Sequence, residues 1–254
     1  MHNTSVSKQF AATVISFFAL ALGLFVMPTA AQSSRADTAN SYLERAKSWL
    51  DKGEFKRASA DFDLAVASDP SSSRAHFSRA ELRRATKDFA GAIQDYSKAI
   101  ELNPNYVKAY CNRGIALRNQ GKLDAALADF AQAIQLDPEE AEAYYYRATV
   151  LCLKDQLEAA VADFDVVLRL KPQQAEAHND RGVALHRLGR MTAAIRDYDN
   201  AIQRKPTLAK AWLNRGIAYL EQAQYEAAKR DFAEAVRLDA AHKAAVEQLL
   251  QTIR

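Results

Sequence analysis

The sequence of 254 residues is poor in residues that interrupt helices or build catalytic loops, with 8 glycines, 6 prolines and 2 cysteines. It contains no glycine-rich phosphate loop and no nucleophile elbow. No pair of carboxylates stands apart from the regular pattern of the chain. We therefore predict no catalytic residue, no cofactor and no enzymatic activity.

A strong net charge is also missing. The formal net charge is +3, and acidic and basic residues are interspersed along the chain. A balance this close to neutral gives no reason to expect nucleic acid as a partner, and it is typical of a mixed, solvated surface.

The few prolines are regularly spaced. Counting in steps of 34 residues from the first of them reaches Ala240, where the proline is lost. The prolines in this series are Pro70, Pro104, Pro138, Pro172 and Pro206. They divide residues 39–242 into six units, which are 39–72, 73–106, 107–140, 141–174, 175–208 and 209–242.

Each unit has the pattern of a helical hairpin. In residues 107–140, apolar and small side chains advance by three and four in two runs, as on one face of each of two helices. Gly121 lies between the runs and marks the turn, and Pro138 closes the second helix. Small and aromatic residues keep the same phase in all six units.

The repeating positions resemble those of the tetratricopeptide repeat. The sixth unit shows the signature as Trp212, Gly216, Tyr219, Ala228 and Phe232. The resemblance implies an all-α fold, an α-solenoid superhelix of six helical hairpins. Residues 243–254 then read as a helix that caps the last hairpin. The apolar face of this helix is Ala245, Val246, Leu249 and Leu250.

One position departs from the family pattern, because an arginine precedes the small residue in every unit. An aspartate recurs in the same way before the aromatic residue of the second helix. The arginines are Arg45, Arg79, Arg113, Arg147, Arg181 and Arg215, and the aspartates are Asp61, Asp95, Asp129, Asp163, Asp197 and Asp231. We predict structural ion pairs that specify register.

The favoured partners belong to consecutive units. They are Asp61 with Arg79, Asp95 with Arg113, Asp129 with Arg147, Asp163 with Arg181, and Asp197 with Arg215. Pairing inside one hairpin is the first alternative. An arginine ladder for an anionic ligand is the second, and the matched aspartates argue against it.

The first 31 residues have the layout of a secretory signal peptide. An uncharged run covers residues 10–27, and Thr29 and Ala31 occupy the small-residue places before a predicted cut after Ala31. The run is nearly long enough to span a bilayer, so an uncleaved membrane anchor is the alternative. Residues 32–38 read as a linker. We expect an exported bacterial protein. The favoured location is the periplasm, and the alternatives are secretion and an anchor in the inner membrane.

The cysteines and histidines give no metal site. Cys152 lies seven residues further along its helix than the position equivalent to Cys111, a rise of about 10 Å, which exceeds the roughly 7 Å limit for a disulfide. Two free thiols are therefore predicted. His76 and His178 occupy an aromatic position of the repeat, where packing is expected. A ligand pair of His178 and His186 is the alternative.

The resemblance also implies a binding site, because in this family the first helices of successive hairpins line a groove for a peptide or helix. The predicted groove residues are Phe77, Lys108, Cys111, Asn112, Ile115, Tyr145, Tyr146, Thr149, Asn179 and Asn214. Tyr145 and Tyr146 are favoured, since Tyr144 already fills the aromatic place of the hairpin. Packing between helices is the alternative for each of them. The carboxylate clamp of co-chaperone members is absent.

The first function hypothesis is thus a non-catalytic scaffold in the bacterial envelope that binds an extended peptide or helix of another protein. The alternative is a self-assembling structural subunit, and a hydrolase is the third. A membrane partner is expected only if the N-terminal segment stays uncleaved. The oligomeric state is left open.

Overall fold

The computed structural model describes residues 30–251, with side chains described for residues 33–251. This part of the chain contains thirteen α-helices and one short 3-10 helix, and no strand. None of the helices described is long and apolar enough to cross a membrane. The predicted signal peptide and its cut after Ala31 concern a segment whose side chains, and most of whose backbone, lie outside the described residues.

Twelve of the helices form six consecutive pairs, which confirms the all-α solenoid fold class. The pairs are α1 (Ala30–Asp51) with α2 (Phe55–Ser68), α3 (Ser73–Ala85) with α4 (Phe89–Leu102), α5 (Val107–Asn119) with α6 (Leu123–Leu136), α7 (Ala141–Leu153) with α8 (Leu157–Leu170), α9 (Ala175–Arg187) with α10 (Met191–Arg204), and α11 (Ala209–Glu221) with α12 (Tyr225–Leu238).

The chain divides into two compact units, and the boundary in the sequence lies between Ala75 and His76. In the first unit, α1 packs on α2 through small and aromatic side chains that are almost fully buried. These residues are Ala39, Leu43, Ala46, Ala58, Phe62 and Ala65.

The predicted linker at residues 32–38 is instead the beginning of α1. This stretch contains no glycine or proline, so nothing in it stops a helix from extending toward the N-terminus. The Thr38 hydroxyl donates a hydrogen bond to the Ser34 carbonyl one turn earlier (2.8 Å). Its side chains are mostly exposed, and burial begins at Ala39.

In the second unit, each hairpin is held by an aromatic ring of the second helix against a small residue of the first. A Cβ atom at Gly114 would lie 2.7 Å from Cε1 of Phe130, and Gly182 and Gly216 are related in the same way to Tyr198 and Phe232. The close approach explains why only glycine or alanine occurs at this position.

All six hairpin turns use left-handed backbone geometry. The turn residue has positive φ whether it is glycine or not. The glycines are Gly53, Gly121 and Gly189, and the other residues are Lys87, Asp155 and Ala223. Three turns therefore place a side chain in a region that favours glycine.

The prolines end the second helices as predicted. The residue before Pro104 and the residue before Pro138 have φ of −138° with ψ of 90° and 98°, the extended geometry that a following proline imposes. Where the series loses its proline, the chain forms a 3-10 turn over Ala240–His242, and the Asp239 side chain accepts the backbone N–H of Ala241.

The final helix, α13 (Lys243–Gln251), covers the end of the last hairpin. Val246 is buried against the cluster of Ala228 and Phe232, and Leu249 and Leu250 are partly buried there. Ala245 is exposed, so its assignment to the apolar face was wrong. A single buried valine with two leucines is enough to define that face.

Candidate peptide-binding groove

Six arginine–aspartate pairs mark the contact between the two helices of each hairpin. In every pair Nε and Nη2 of the arginine donate to the two carboxylate oxygens over 2.6–2.9 Å. The pairs are Arg45–Asp61, Arg79–Asp95, Arg113–Asp129, Arg147–Asp163, Arg181–Asp197 and Arg215–Asp231.

The preferred prediction, pairing between consecutive units, is therefore wrong, and pairing inside one hairpin is observed. The physical reason lies at the helix contact. Arg113 directly precedes Gly114, Asp129 directly precedes Phe130, and Gly114 meets the Phe130 ring. The preceding side chains of the two helices are thus brought side by side.

A third donor of some arginines does reach the neighbouring unit. Nη1 of Arg181 donates to Asp165 and Nη1 of Arg215 donates to Asp199, both over 2.6 Å, while Nη1 of Arg113 donates to the Ser97 hydroxyl. Contacts between units therefore exist, but their acceptors are two other aspartates and a serine on the second helix of the preceding hairpin.

These contacts fix the charge states of the pairs. The hydrogen bond from Arg45 holds the pKa of Asp61 below its usual range. Burial raises the pKa of Asp95, but hydrogen bonds from His76 and Arg79 outweigh it, and the pKa is lowered. Every arginine of the series is paired with an aspartate of its own hairpin. This pairing is typical of a structural role, and it leaves little positive charge to bind an anionic ligand.

A cavity of about 400 Å³ opens between the first helices α3, α5 and α7. It brings together six of the predicted groove residues. They are Phe77, Lys108, Cys111, Asn112, Ile115 and Tyr146. Four charged residues that the sequence analysis missed complete its lining, and they are Glu81, Arg84, Glu140 and Glu142.

Glu81 organises the polar side of this cavity. Its Oε1 accepts from Asn112 Nδ2 (2.9 Å) and from the Tyr96 hydroxyl, and Arg84 Nη2 lies 3.3 Å from its Oε2. Burial, followed by the nearby Glu81 charge, raises the pKa of Tyr96, which keeps the phenol protonated as a donor. Glu81 recurs in no other unit and Arg84 recurs only as Arg118, so periodicity gave no signal for them.

The floor of the cavity is apolar. Cys111 and Ile115 are 4% and 6% exposed, and burial raises the pKa of the Cys111 thiol to about 12. Tyr146 is half-buried between the Phe130 ring, at 6.2 Å between centroids, and the Arg118 guanidinium, at 5.4 Å. Phe77 stacks on Tyr106 at 4.7 Å.

Other predicted groove residues already have hydrogen-bond partners within the protein. The Tyr145 hydroxyl donates to Asp180 (2.6 Å), and the Thr149 hydroxyl donates to the Tyr146 carbonyl (2.8 Å). Asn179 is 1% exposed; its Nδ2 donates to Asp180 and its Oδ1 accepts from Asn214 Nδ2. Packing between helices, the stated alternative, therefore describes Asn179, and the hydroxyl of Tyr145 is already engaged.

A second cavity, of about 450 Å³, lies further along the first helices, between α9 and α11. Of the predicted groove residues it includes only Asn214. Its lining residues are Val183, His186, Arg187, Tyr198, Asn214, Ile217 and Glu221. His186 Nε2 lies 2.9 Å from Glu221 Oε2.

The two histidines at the aromatic position of the repeat and both cysteines are accounted for. His76 and His178 are buried, with Nδ1 at 3.5 Å from Asp95 and 3.4 Å from Asp197 respectively. Cys111 and Cys152 are free cysteines. Among residues 33–251 no group of three or more histidine, cysteine, aspartate or glutamate side chains is arranged to hold a metal ion.

Three solved structures of similar fold share about a fifth of their residues with this chain. PilF of Pseudomonas aeruginosa has a TM-score of 0.75 and 21% identity, covering 87% of this chain and 100% of PilF. PilW, a type IV pilus biogenesis factor, has a TM-score of 0.75 and 19% identity, covering 84% and 98%. YrrB, a protein with an unusual peptide-binding site, has a TM-score of 0.61 and 22% identity, covering 74% and 96%.

At these identities the structural matches show the fold alone, and no curated protein matches the chain. Four family models of the tetratricopeptide repeat match the sequence. They cover residues 80–121, 107–140, 148–211, and 130–162 with 197–230. The matched ranges together span more than half of the chain. The chain therefore belongs to the tetratricopeptide repeat family.

Proposed function

We propose that this protein is a non-catalytic scaffold that binds an extended peptide or a helix of another protein across the first helices of its hairpins. The observation that carries the proposal is the cavity between α3, α5 and α7, where three successive first helices contribute an apolar floor and a polar rim. YrrB, which shares the fold, has a peptide-binding site.

The chemistry of the rim suits a peptide. Nδ2 of Asn112 donates a hydrogen bond to Glu81. The side-chain oxygen of Asn112 is then left to accept a backbone N–H of the peptide. Lys108 and Glu142 are exposed and of opposite sign, so the rim does not select for a strongly charged partner. Half-buried aromatic side chains beside amides are typical of surfaces that anchor an apolar segment.

We infer that the partner is a protein of the bacterial envelope. The support is the signal-peptide pattern of residues 1–31 and the shared fold with PilW, a pilus biogenesis factor. A periplasmic protein is proposed if the segment is cleaved after Ala31. The same segment would hold the repeats at the inner membrane if it is retained.

The proposal is tested by a crosslinking pull-down from the native envelope. The variant Lys108→Glu with Tyr146→Ala changes the rim and the aromatic wall of the cavity and leaves the ion pairs intact. Lys122→Glu, an equal charge change at an exposed helix start, is the matched control. Loss of a dominant partner in the first variant alone supports the groove. Partners retained by both variants place the binding surface elsewhere, and recovery of only the protein itself favours a self-assembling subunit.

A further inference from the structure

The hydroxyl of Tyr198 is buried and has no hydrogen-bond partner. Tyr198 is 0% exposed, and among the buried side-chain oxygens and nitrogens described its hydroxyl is the one left unsatisfied. A buried donor without an acceptor carries a desolvation cost. Tyr198 also lines the cavity of about 450 Å³ between α9 and α11. Because the hydroxyl itself is covered, an acceptor that enters this cavity reaches it once the neighbouring side chains shift.

The same chain shows what an acceptor at this place looks like. Three repeats earlier the equivalent residue is Tyr96, whose hydroxyl donates to Glu81 and accepts from Arg84. Asn112 donates to the same Glu81 oxygen. Glu81 thus gives the phenol an internal acceptor.

Around Tyr198 only the asparagine of this arrangement is kept. The repeat places Val183 where Glu81 stands, His186 where Arg84 stands, and Asn214 where Asn112 stands. All three line the cavity. A valine cannot accept a hydrogen bond, so Val183 does not supply the internal acceptor that Glu81 gives to Tyr96.

The surrounding charges decide which acceptor fits. Burial and then the negative charges of Asp197, Glu221 and Asp180 raise the pKa of Tyr198, so the hydroxyl lies in a negative field. His186 is already paired with Glu221, and Arg187 with Asp155. A carboxylate would be repelled here, whereas a neutral oxygen would not.

A carboxamide meets the remaining requirements. Nδ2 of Asn214 donates a hydrogen bond to Asn179. The side-chain oxygen of Asn214 is then left to accept an N–H of the ligand. Glu221 offers a second acceptor at the same cavity. The walls of Val183 and Ile217 suit the methylene stem of a side chain.

We propose that the cavity between α9 and α11 is a subsite for a glutamine or asparagine side chain of the bound peptide, whose oxygen accepts the hydrogen bond of Tyr198. The inference rests on the proposed peptide-binding function and names one chemical feature of the ligand.

The test begins with a library of random linear peptides selected on the wild-type protein. A binder with a carboxamide residue is then compared with its leucine and glutamate derivatives. On the wild type we expect the carboxamide peptide to bind about fivefold more tightly than the leucine peptide, the effect of one neutral hydrogen bond.

Tyr198→Phe should abolish this preference, and Tyr225→Phe, which removes an exposed phenol hydroxyl outside the cavity, should keep it. Because the Tyr198 hydroxyl has no partner in the free protein, Tyr198→Phe should melt no earlier than the wild type. Val183→Glu places an internal acceptor beside Tyr198, as Glu81 does beside Tyr96. This variant should lower the affinity for the carboxamide peptide at least as much as Tyr198→Phe does.

The outcomes separate the inference from the proposed function. Peptides that bind with no carboxamide preference, or that prefer glutamate, overturn the subsite and leave the groove function standing. A preference unchanged in Tyr198→Phe also overturns it. If no linear peptide binds the wild type, the proposed peptide-binding function fails and the subsite with it.

Discussion

At the scale of single residues, the hairpin turns impose a conformation that three of the residues present tolerate poorly. Lys87, Asp155 and Ala223 have φ of 66°, 60° and 58°, where a Cβ atom costs about 1–2 kcal/mol. Gly121 takes the same geometry with open space around its Cα. Turn geometry, rather than packing, therefore sets the preference at this position.

We expect Ala223→Gly to raise the free energy of unfolding by about 1 kcal/mol, because relief of the left-handed strain exceeds the added entropy of the unfolded chain. Gly121→Ala should lower it by a similar amount. Urea unfolding followed by circular dichroism measures both. Ala131→Gly in the exposed middle of α6 is the control, and it should lose about 1 kcal/mol. A loss in Ala223→Gly as well would refute the assignment of strain.

The turn residues show what the sequence can specify at this scale. Gly121 is recognisable because glycine between two helical runs signals a turn. Lys87, Asp155 and Ala223 carry no such signal by themselves. Their left-handed geometry follows only from their place in the 34-residue period, since each hairpin must close over the same helix contact.

At the scale of elements, each hairpin is tied by a bidentate ion pair at its helix contact. The aspartate is nearly buried, as with Asp163 at 6% exposure, while the arginine is more open. Removing the arginine therefore leaves a buried charge without a partner. The main contribution of such pairs is to specify which faces of two helices come into contact. Their net contribution to stability is smaller.

Arg147→Met should lower the free energy of unfolding by about 3 kcal/mol, since Asp163 would remain buried and unpaired. The double variant Arg147→Met with Asp163→Leu should lose much less, because no charge is then left behind. A double-mutant cycle measured by denaturant unfolding gives the coupling of the two residues. Additive losses in the cycle would show that the pair does not act as a unit.

The first hairpin gives a pH prediction. The folded-state pKa of Asp61 is lowered by the hydrogen bond from Arg45, so the stability from this pair is present above the unfolded pKa, near 4, and is lost as pH falls below it. Denaturant midpoints should change little between pH 7 and 5 and fall below about pH 4. Asp61→Asn should be less stable at pH 7 but show a smaller drop, and equal drops in both proteins would contradict the assignment.

The pairing of these residues shows where reasoning from the sequence fails at this scale. Position in the repeat identified every arginine and aspartate of the six pairs. The choice of partner, however, depends on which faces of the helices are in contact. The small residue after Arg113 and the ring after Asp129 already indicated that contact. The missed link from Arg181 to Asp165 could not be found from periodicity, because Asp165 recurs in only two other units, as Asp63 and Asp199.

At the scale of the whole molecule, the repeat specifies the fold and leaves the ligand surface variable. Helix pairs, proline stops and the capping helix follow from a period of 34 residues. The binding cavities depend on side chains that differ between units, such as Glu81 in one and Val183 in another. Asn179 was predicted to contact a peptide and is buried, because burial inside the stack depends on neighbouring units.

The capping helix gives a prediction at this scale. Val246→Ser should lower the free energy of unfolding by about 1–2 kcal/mol, since the side chain seals the cluster of Ala228 and Phe232. Glu247→Ser, an exposed neighbour, should have little effect. Thermal melts and light scattering measure stability and self-association, and equal effects of the two changes would show that α13 does not cap the array.

The most direct measurement of the central claim is site-specific photocrosslinking to the native partner. A photoreactive residue is placed at the exposed first-helix positions Lys108 and Glu142, or at the exposed second-helix positions Ala125 and Glu158. We predict that a partner segment crosslinks from residues 108 and 142 and not from residues 125 and 158. Crosslinks from the second-helix positions alone would contradict binding across the first helices.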